Sequence, residues 1–537
     1  MADFQNISSD FVDGQVSPPP PETLPQAPRA AVAEKHTYGQ ILKSSALVGG
    51  SSVLNIGIGI VRTKVMAVLL GPGGFGLFGL YGSISNLAQS IAGMGVNSSG
   101  VRQIAEAAGT GDSARIAETA AVLRRTSVCL GALGAALLIV FSRQVSKLTF
   151  GNPQHATAVC LLAAAVFFQL ISYGQAALIQ GMRRIADLAK MGVLGALFGL
   201  LASIPLVYFL REKGVVPSLV SVSGMAVLTS WWYSRKVRIR RSPLTGPQVW
   251  HEAKALLKLG FAFMSSGLVM MGVAYAVRVI VLRKVGFEAT GLYQSAWTLG
   301  GLYVGFILQA MGADFYPRLT ASAGDNRQCN RLVNEQARVG LLLAGPGVIA
   351  TLTFAPVVIG LLYSAKFAAA VGILRWICIG ATLQIIIWPM GFIIMAKARS
   401  GLLVLSEVAW GVVHVGLAWF WVAHYGLNGA GAAFFGSYIF HGFLTYPIVR
   451  SLSGFRWSAD NRQTGLLFLS LIGVVFCGFY VLPLRWACSV GGVALALSCA
   501  YSVWVLCRLV PLEKIPRPLR AVLVSLRLVQ SGAAACN

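Results

Sequence analysis

Acidic residues are scarce. The 537-residue chain has 18 Asp and Glu against 43 Lys and Arg, and only 11% of its residues are charged. A soluble chain of ordinary composition carries about 25% charged residues, so a large soluble core is excluded. The nine cysteines are scattered and none forms a CxxC pair, which removes a zinc site and a disulfide framework. The chain has neither a Walker A sequence nor HExxH, so ATP bound to this chain does not supply energy for its work. Gly71-Pro72-Gly73-Gly74-Phe75-Gly76 matches GxGxxG, but it follows an apolar run rather than a strand and reads as a tight turn. No cofactor is expected. The first residues lack the charged start and apolar core of a signal peptide.

What the chain has in abundance is apolar sequence: 56% of it is hydrophobic. The apolar residues come in runs of about 20, enough to cross a bilayer core of about 30 Å. About fourteen such runs are read between residues 44 and 507. Strands are excluded because open sheet edges cannot face lipid and the runs are too long for barrel strands. The expected fold class is an all-α polytopic membrane protein. The net charge of +25 falls mostly on the two tails and on alternate loops, most densely at Arg235-Lys236-Val237-Arg238-Ile239-Arg240-Arg241. That is the positive-inside pattern, and it places both termini in the cytoplasm. It also disposes of nucleic acid as a partner, since no soluble domain remains to bind it.

The first half of the membrane region is repeated in the second. Val61-Arg62 recurs as Val277-Arg278, and Gly71, Gly76, Leu77 and Phe78 recur as Gly286, Gly291, Leu292 and Tyr293 at a constant offset of 215 residues. Six spans separate the copies, so both have the same orientation and form a parallel repeat. The expected organisation is a disordered proline-rich tail at 1–37, a first lobe of six helices at 38–233, and a basic linker at 234–256. A second six-helix lobe at 257–450, two extra helices at 451–510 and a cytoplasmic tail at 511–537 complete it. Pro205, Gly345-Pro346-Gly347 and Pro389 put helix breakers inside spans, either as static kinks or as bends that change during transport. Gly195 and Gly199 mark a helix-packing face.

Each copy carries one intramembrane cation. A cation at that depth costs about 2.5–3.5 kcal/mol on insertion scales, so Arg62 and Arg278 must face protein or water. Two arginines in one cavity can grip phosphate oxygens in bidentate fashion. The bland alternative is snorkelling, or pairing with a backbone carbonyl. Ser51 and Asn55 share a helix face with Arg62, and Tyr275 shares the face of Arg278. Lys64 points away from Arg62 and reads equally as a ligand or a snorkelling cation. Arg283 and Lys284 read as interfacial anchors, and Arg375 as a weaker cavity candidate. Glu407 and His414 lie seven residues apart on one face, an arrangement suited to proton coupling or to a solvated pair.

Three stretches carry a family resemblance over roughly residues 40–450. Leu69-Leu70-Gly71-Pro72, Gly100-Val101-Arg102-Gln103-Ile104-Ala105-Glu106-Ala107 and Met311-Gly312-Ala313-Asp314-Phe315-Tyr316-Pro317-Arg318-Leu319-Thr320 resemble Wzx-type O-antigen and lipid-linked-oligosaccharide flippases. Those form the polysaccharide-transporter branch of the superfamily that also holds MATE drug exporters and the MurJ lipid II flippase. The resemblance implies a V-shaped pair of six-helix bundles around a cationic cavity in a bacterial inner membrane. It implies an undecaprenyl-pyrophosphate-linked glycan as cargo, moved from the cytoplasmic to the periplasmic leaflet for surface polysaccharide (O-antigen, lipopolysaccharide or exopolysaccharide) biosynthesis. No catalysis is implied. Polysaccharide polymerase or assembly proteins are the further partners such a flippase would meet. Arg102, Asp314 and Arg318 match the branch's cytoplasmic-face motifs and imply a gate. A cation-coupled drug exporter of the same fold is the alternative; it would want acidic residues where this chain has arginines. The long proline-rich start and the two extra helices depart from the pattern.

Overall fold

The computed structural model describes residues 27–237 and 246–509; side chains at 27–48, at several positions between 246 and 317, and at 400 lie outside the described set. Every regular element among the described residues is helical. In chain order the helices are α1 (Ala27–Gly93), α2 (Val96–Gly109), α3 (Ser113–Val140), α4 (Ser142–Phe150), α5 (Ala156–Gly181), α6 (Ile185–Leu210), α7 (Val215–Ser234) and α8 (Gly246–Val285). They continue as α9 (Phe287–Ala321), α10 (Asn326–Thr353), α11 (Ala355–Leu362), α12 (Ala370–Ala396), α13 (Ser400–Tyr425), α14 (Leu427–Ser453), α15 (Ala459–Val481) and α16 (Leu484–Leu509). Nine helical stretches among the described residues are long and apolar enough to cross a membrane, or ten when the bent pair α10–α11 counts as one. Two of them, Gly49–Gly93 and Ile185–Ser234, are 45 and 50 residues long, room for two crossings each. The chain is therefore an all-helical, multi-pass membrane protein.

The breaks fall where the repeat puts glycine. α1 is kinked at Gly71, with φ 66° and ψ −177°, and Gly286, with φ 110°, precedes α9. Only glycine holds these angles without strain. Pro72 follows the first break in the opening turn of the second arm of α1, where its missing N–H costs nothing. A helix from Ala27 replaces the last part of the expected disordered tail, and residues 1–26 lie outside the described set.

The two halves of the repeat, α1–α7 and α8–α14, meet along α1 and α9. One end of the molecule carries the Gly71 and Gly286 breaks. There Gly76 and Gly291, repeat equivalents, lie against each other: a Cβ on Gly291 would stand 1.7 Å from the Pro72 carbonyl oxygen, and one on Gly76 2.5 Å from that of Phe287. Met66, Ala67 and Phe75 of the first half join the large apolar core of the second at this end. At the opposite end Gly95, with φ 66°, meets Gly260, whose carbonyl oxygen would lie 2.0 Å from a Cβ on Gly95. The halves are thus in contact at both ends, not splayed into a V.

The chain bends beyond the expected break at Gly345-Pro346-Gly347. α10 runs through Pro346 without interruption and ends at Thr353, where it bends by 80° into α11. Gly345 serves close packing instead, since its missing Cβ leaves room for the Phe468 ring of α15. With Gly491 of α16 set against Thr353, this seats the two extra helices on α10 as a packing pair. The stretches 100–107 and 311–320 lie on α2 and α9. α9 continues through Gly312 and Pro317 to Ala321. Gly195 and Gly199 do pack as expected, against Thr229 and Val222 of α7.

Candidate functional site

The two arginines flank the crossing of α1 and α9. Each lies over the aromatic ring of its own repeat: Arg62 Cζ is 5.4 Å from the Phe78 centroid, and Arg278 Cζ is 6.0 Å from that of Tyr293. Rings in this position attract a cation through their π faces. Trp297, at 5.9 Å, adds a second ring to Arg278.

The symmetry breaks at the next residue. The repeat pairs Gly79 with Gln294. Gln294 occupies the space a side chain at 79 would fill, 2.8 Å from an added Cβ. Its Oε1 accepts from Arg278 Nε at 2.7 Å, and the Ala274 carbonyl accepts from Nη1 at 2.7 Å. Arg278 is 7% exposed and is held on both sides. Arg62 has no counterpart of Gln294, and its Nε is buried without a partner. An unpaired buried donor on a charged group costs more than about 1–3 kcal/mol. The arrangement therefore favours an incoming acceptor at Arg62, while Arg278 must release Gln294 to bind one.

The other expected residues divide. Asn55 stands with Arg62 on α1; its Oδ1 is also buried and unpartnered. It lines a cavity of about 340 Å³ between the halves, with Gly59 and Thr63 of α1 and Thr298 and Tyr363 across. Arg62 does not line that cavity, because it turns onto Phe78. Lys64 is exposed. Tyr275 turns away from the cavities to α4, with its hydroxyl 2.6 Å from Thr149 Oγ1. Arg102 is exposed and paired with Glu106 at 2.7 Å, a weak surface pair one turn apart. Arg318 is exposed, and the Asp314 side chain lies outside the described set. His414 is 1% exposed with both ring nitrogens unpartnered. Its ring lies 5.4 Å from Trp410, and it borders a cavity of about 140 Å³ that reaches Ala274 and Trp297. Glu407 is half-buried on the same helix and makes no hydrogen bond to the His414 ring.

Arg283 does more than anchor. It reaches from α8 to α4 and donates to the carbonyls of Lys147, Leu148 and Thr149. These carbonyls end α4, where a cation completes the missing hydrogen bonds and meets the negative end of the dipole. With Tyr275–Thr149 it forms a clasp between the halves at the Gly71 end. We expect Arg283→Ala to loosen that end several-fold, read as faster labelling of a cysteine placed at Phe287; unchanged labelling would remove the clasp. Sequence reasoning missed it because α4 has only nine residues and gives no apolar run of its own. Lys284 lies over the Trp419 ring, 4.0 Å from its centroid.

Residues 65–372 match the family described as "Polysaccharide biosynthesis protein". The chain belongs to that family. It is 23% identical over 408 residues to the lipid III flippases of Escherichia coli (strain K12) and Shigella flexneri, covering 74% of this chain and 95% of each relative. Two solved structures share the fold. The lipid II flippase MurJ in an inward closed conformation aligns with a TM-score of 0.64 at 13% identity, covering 87% of this chain and 99% of its own. An inward-facing multidrug-resistance MATE transporter of the MOP superfamily aligns at 0.62 and 17% identity, covering 75% and 99%. Similarity thus runs to flippases and transporters rather than to enzymes.

Proposed function

We propose that this member of the polysaccharide biosynthesis family flips an undecaprenyl-pyrophosphate-linked oligosaccharide across a bacterial inner membrane by alternating access. The observation that carries the reading is the pair of repeat-related arginines at the α1–α9 crossing, one of them with a bare buried Nε. A pyrophosphate supplies the acceptor oxygens that Arg62 lacks, and guanidinium binds them in bidentate geometry. The similarity to lipid III flippases supports a lipid-linked glycan as cargo. Surface polysaccharides such as O-antigen, lipopolysaccharide or exopolysaccharide are the products this cargo would feed, through polymerase or assembly proteins.

The distribution of Lys and Arg orients the protein with both termini in the cytoplasm and the Gly95 end facing it. The fourteen-span, two-lobe organisation then gives each half the same direction. In this orientation Arg102, Asp314 and Arg318 mark the cytoplasmic mouth, and Glu407 with His414 offers a place for proton coupling inside the second lobe.

Membrane potential supplies a drive without any dedicated ion. At about 2.3 kcal/mol per charge per 100 mV, moving a doubly charged head outward gains about 4.6 kcal/mol if it crosses the whole field. Flipping in liposomes should therefore slow at least tenfold when an inside-negative potential is collapsed with no ion gradient present. An unchanged rate would sink the potential as the driving force. The test of the function is exchange of a fluorescent undecaprenyl-pyrophosphate oligosaccharide between leaflets. A protein that exchanges cationic drugs and not this lipid would be a drug exporter instead.

A further inference from the structure

The chain has a second inter-lobe pocket, of about 310 Å³, at the Gly95 end. It is built from the end of α1, from α2, α3 and α5 of the first half, and from α8 of the second. That volume is at the lower end for small-ligand sites, so it suits a small ligand rather than an oligosaccharide. Its polar groups are side-chain amides and hydroxyls, chiefly Asn86, Gln89, Asn97, Ser127 and Tyr173. Among the described residues no Lys, Arg, Asp, Glu or His lines it.

We propose that this pocket is the saccharide subsite, and that it takes a neutral sugar unit of the lipid-linked cargo. The inference rests on the flippase reading above and adds where the sugar sits and of what kind it is. Amides and hydroxyls both donate and accept, which matches sugar hydroxyls and an acetamido group. An anionic sugar would be desolvated there without a cation, which is costly. Leu130, Leu170 and Met264 supply an apolar wall for the C–H face of the ring and an acetamido methyl.

One further observation points to a ligand. Ser127 is 4% exposed and its Oγ has no hydrogen-bond partner, although it borders the pocket. Gln89 is 8% exposed; its Nε2 donates to Ser85. The position also suits an extended head group. Along the second arm of α1, Asn86 lies eight residues beyond Phe78, the ring under Arg62, or about 12 Å at 1.5 Å per residue. On α8, Met271 borders the pocket seven residues before Arg278, on the same helix face. A pyrophosphate at Arg62 would direct its first sugar toward this pocket.

The test uses the full chain in lipid nanodiscs and three probes: a short-chain prenyl pyrophosphate, the same lipid with one N-acetylhexosamine, and the same lipid with one uronic acid. The readout is the ratio of affinities, with and without the sugar. The native protein should bind the N-acetylhexosamine lipid at least tenfold more tightly than the bare lipid, with no such gain for the uronic acid. Gln89→Leu with Ser127→Val should bring the ratio to about one. Asn86→Leu, at an exposed position that threatens no packing, should lower it as well. Arg62→Ala should weaken all three lipids together and keep the ratio. A native ratio of one, or a gain that survives the pocket variants, would overturn the subsite. Failure to bind any prenyl pyrophosphate would overturn the flippase reading and the subsite with it.

Discussion

Gly291→Ala should abolish flipping while leaving the protein folded. A methyl group there meets the Pro72 carbonyl oxygen of α1, at 1.7 Å from the ideal Cβ position. Backbone cannot swing aside as a side chain does, so α1 and α9 must separate at the Gly71 end. Overpacking of this kind costs about 1–3 kcal/mol, and 1.36 kcal/mol is a factor of ten. The upper figure makes the state closed at this end about a hundred times rarer. Gly95→Ala acts on the other end, where the added carbon would stand 2.0 Å from the Gly260 carbonyl oxygen at a positive φ. Alternating access needs each end to close in turn, so both variants should lose transport and should trap opposite states. Cysteine labelling would rise at Phe287 in the first and at Asn97 in the second. Normal transport in either variant would mean that closure at that glycine pair is not part of the cycle.

The second large effect separates the two arginines. Arg62→Ala removes a buried donor that has no partner and, with it, a cation–π contact to Phe78, effects of opposite sign, so it should change thermal stability little. It should reduce flipping at least a hundredfold, the loss expected when about 3 kcal/mol of charge-assisted binding disappears. Arg278→Ala removes the partner of Gln294 and vacates space between Tyr293 and Trp297. It should therefore lower stability by about 1–3 kcal/mol as well as transport. Equal stability losses in the two variants would show that the different surroundings of these residues have no energetic meaning.

That difference was not legible in the sequence. The repeat was, because duplication left glycines and aromatics 215 residues apart and the arginines 216 apart. The helical fold and its lipid environment followed from run length and charge scarcity alone. What the repeat hides is the exchange of Gly79 for Gln294, a substitution whose effect exists only across the α1–α9 contact. Helical periodicity placed Tyr275 on the face of Arg278, but periodicity does not name the neighbouring helix, and α4 captured the hydroxyl. Arg283 looked like an anchor because its distance from the span centre was visible and the end of α4 was not. Gly345 looked like part of a helix breaker because Pro346 follows it, whereas it makes room for the ring of Phe468.

The most direct measurement is leaflet exchange in liposomes that hold a fluorescent undecaprenyl-pyrophosphate oligosaccharide, with native protein beside the Arg62→Ala, Arg278→Ala double variant. The account predicts fast exchange with the native chain and exchange at the protein-free rate with the double variant, whose reconstitution is checked by its circular dichroism. Equal exchange by the two proteins would contradict an arginine-held pyrophosphate, and no exchange by the native protein would contradict the flippase itself.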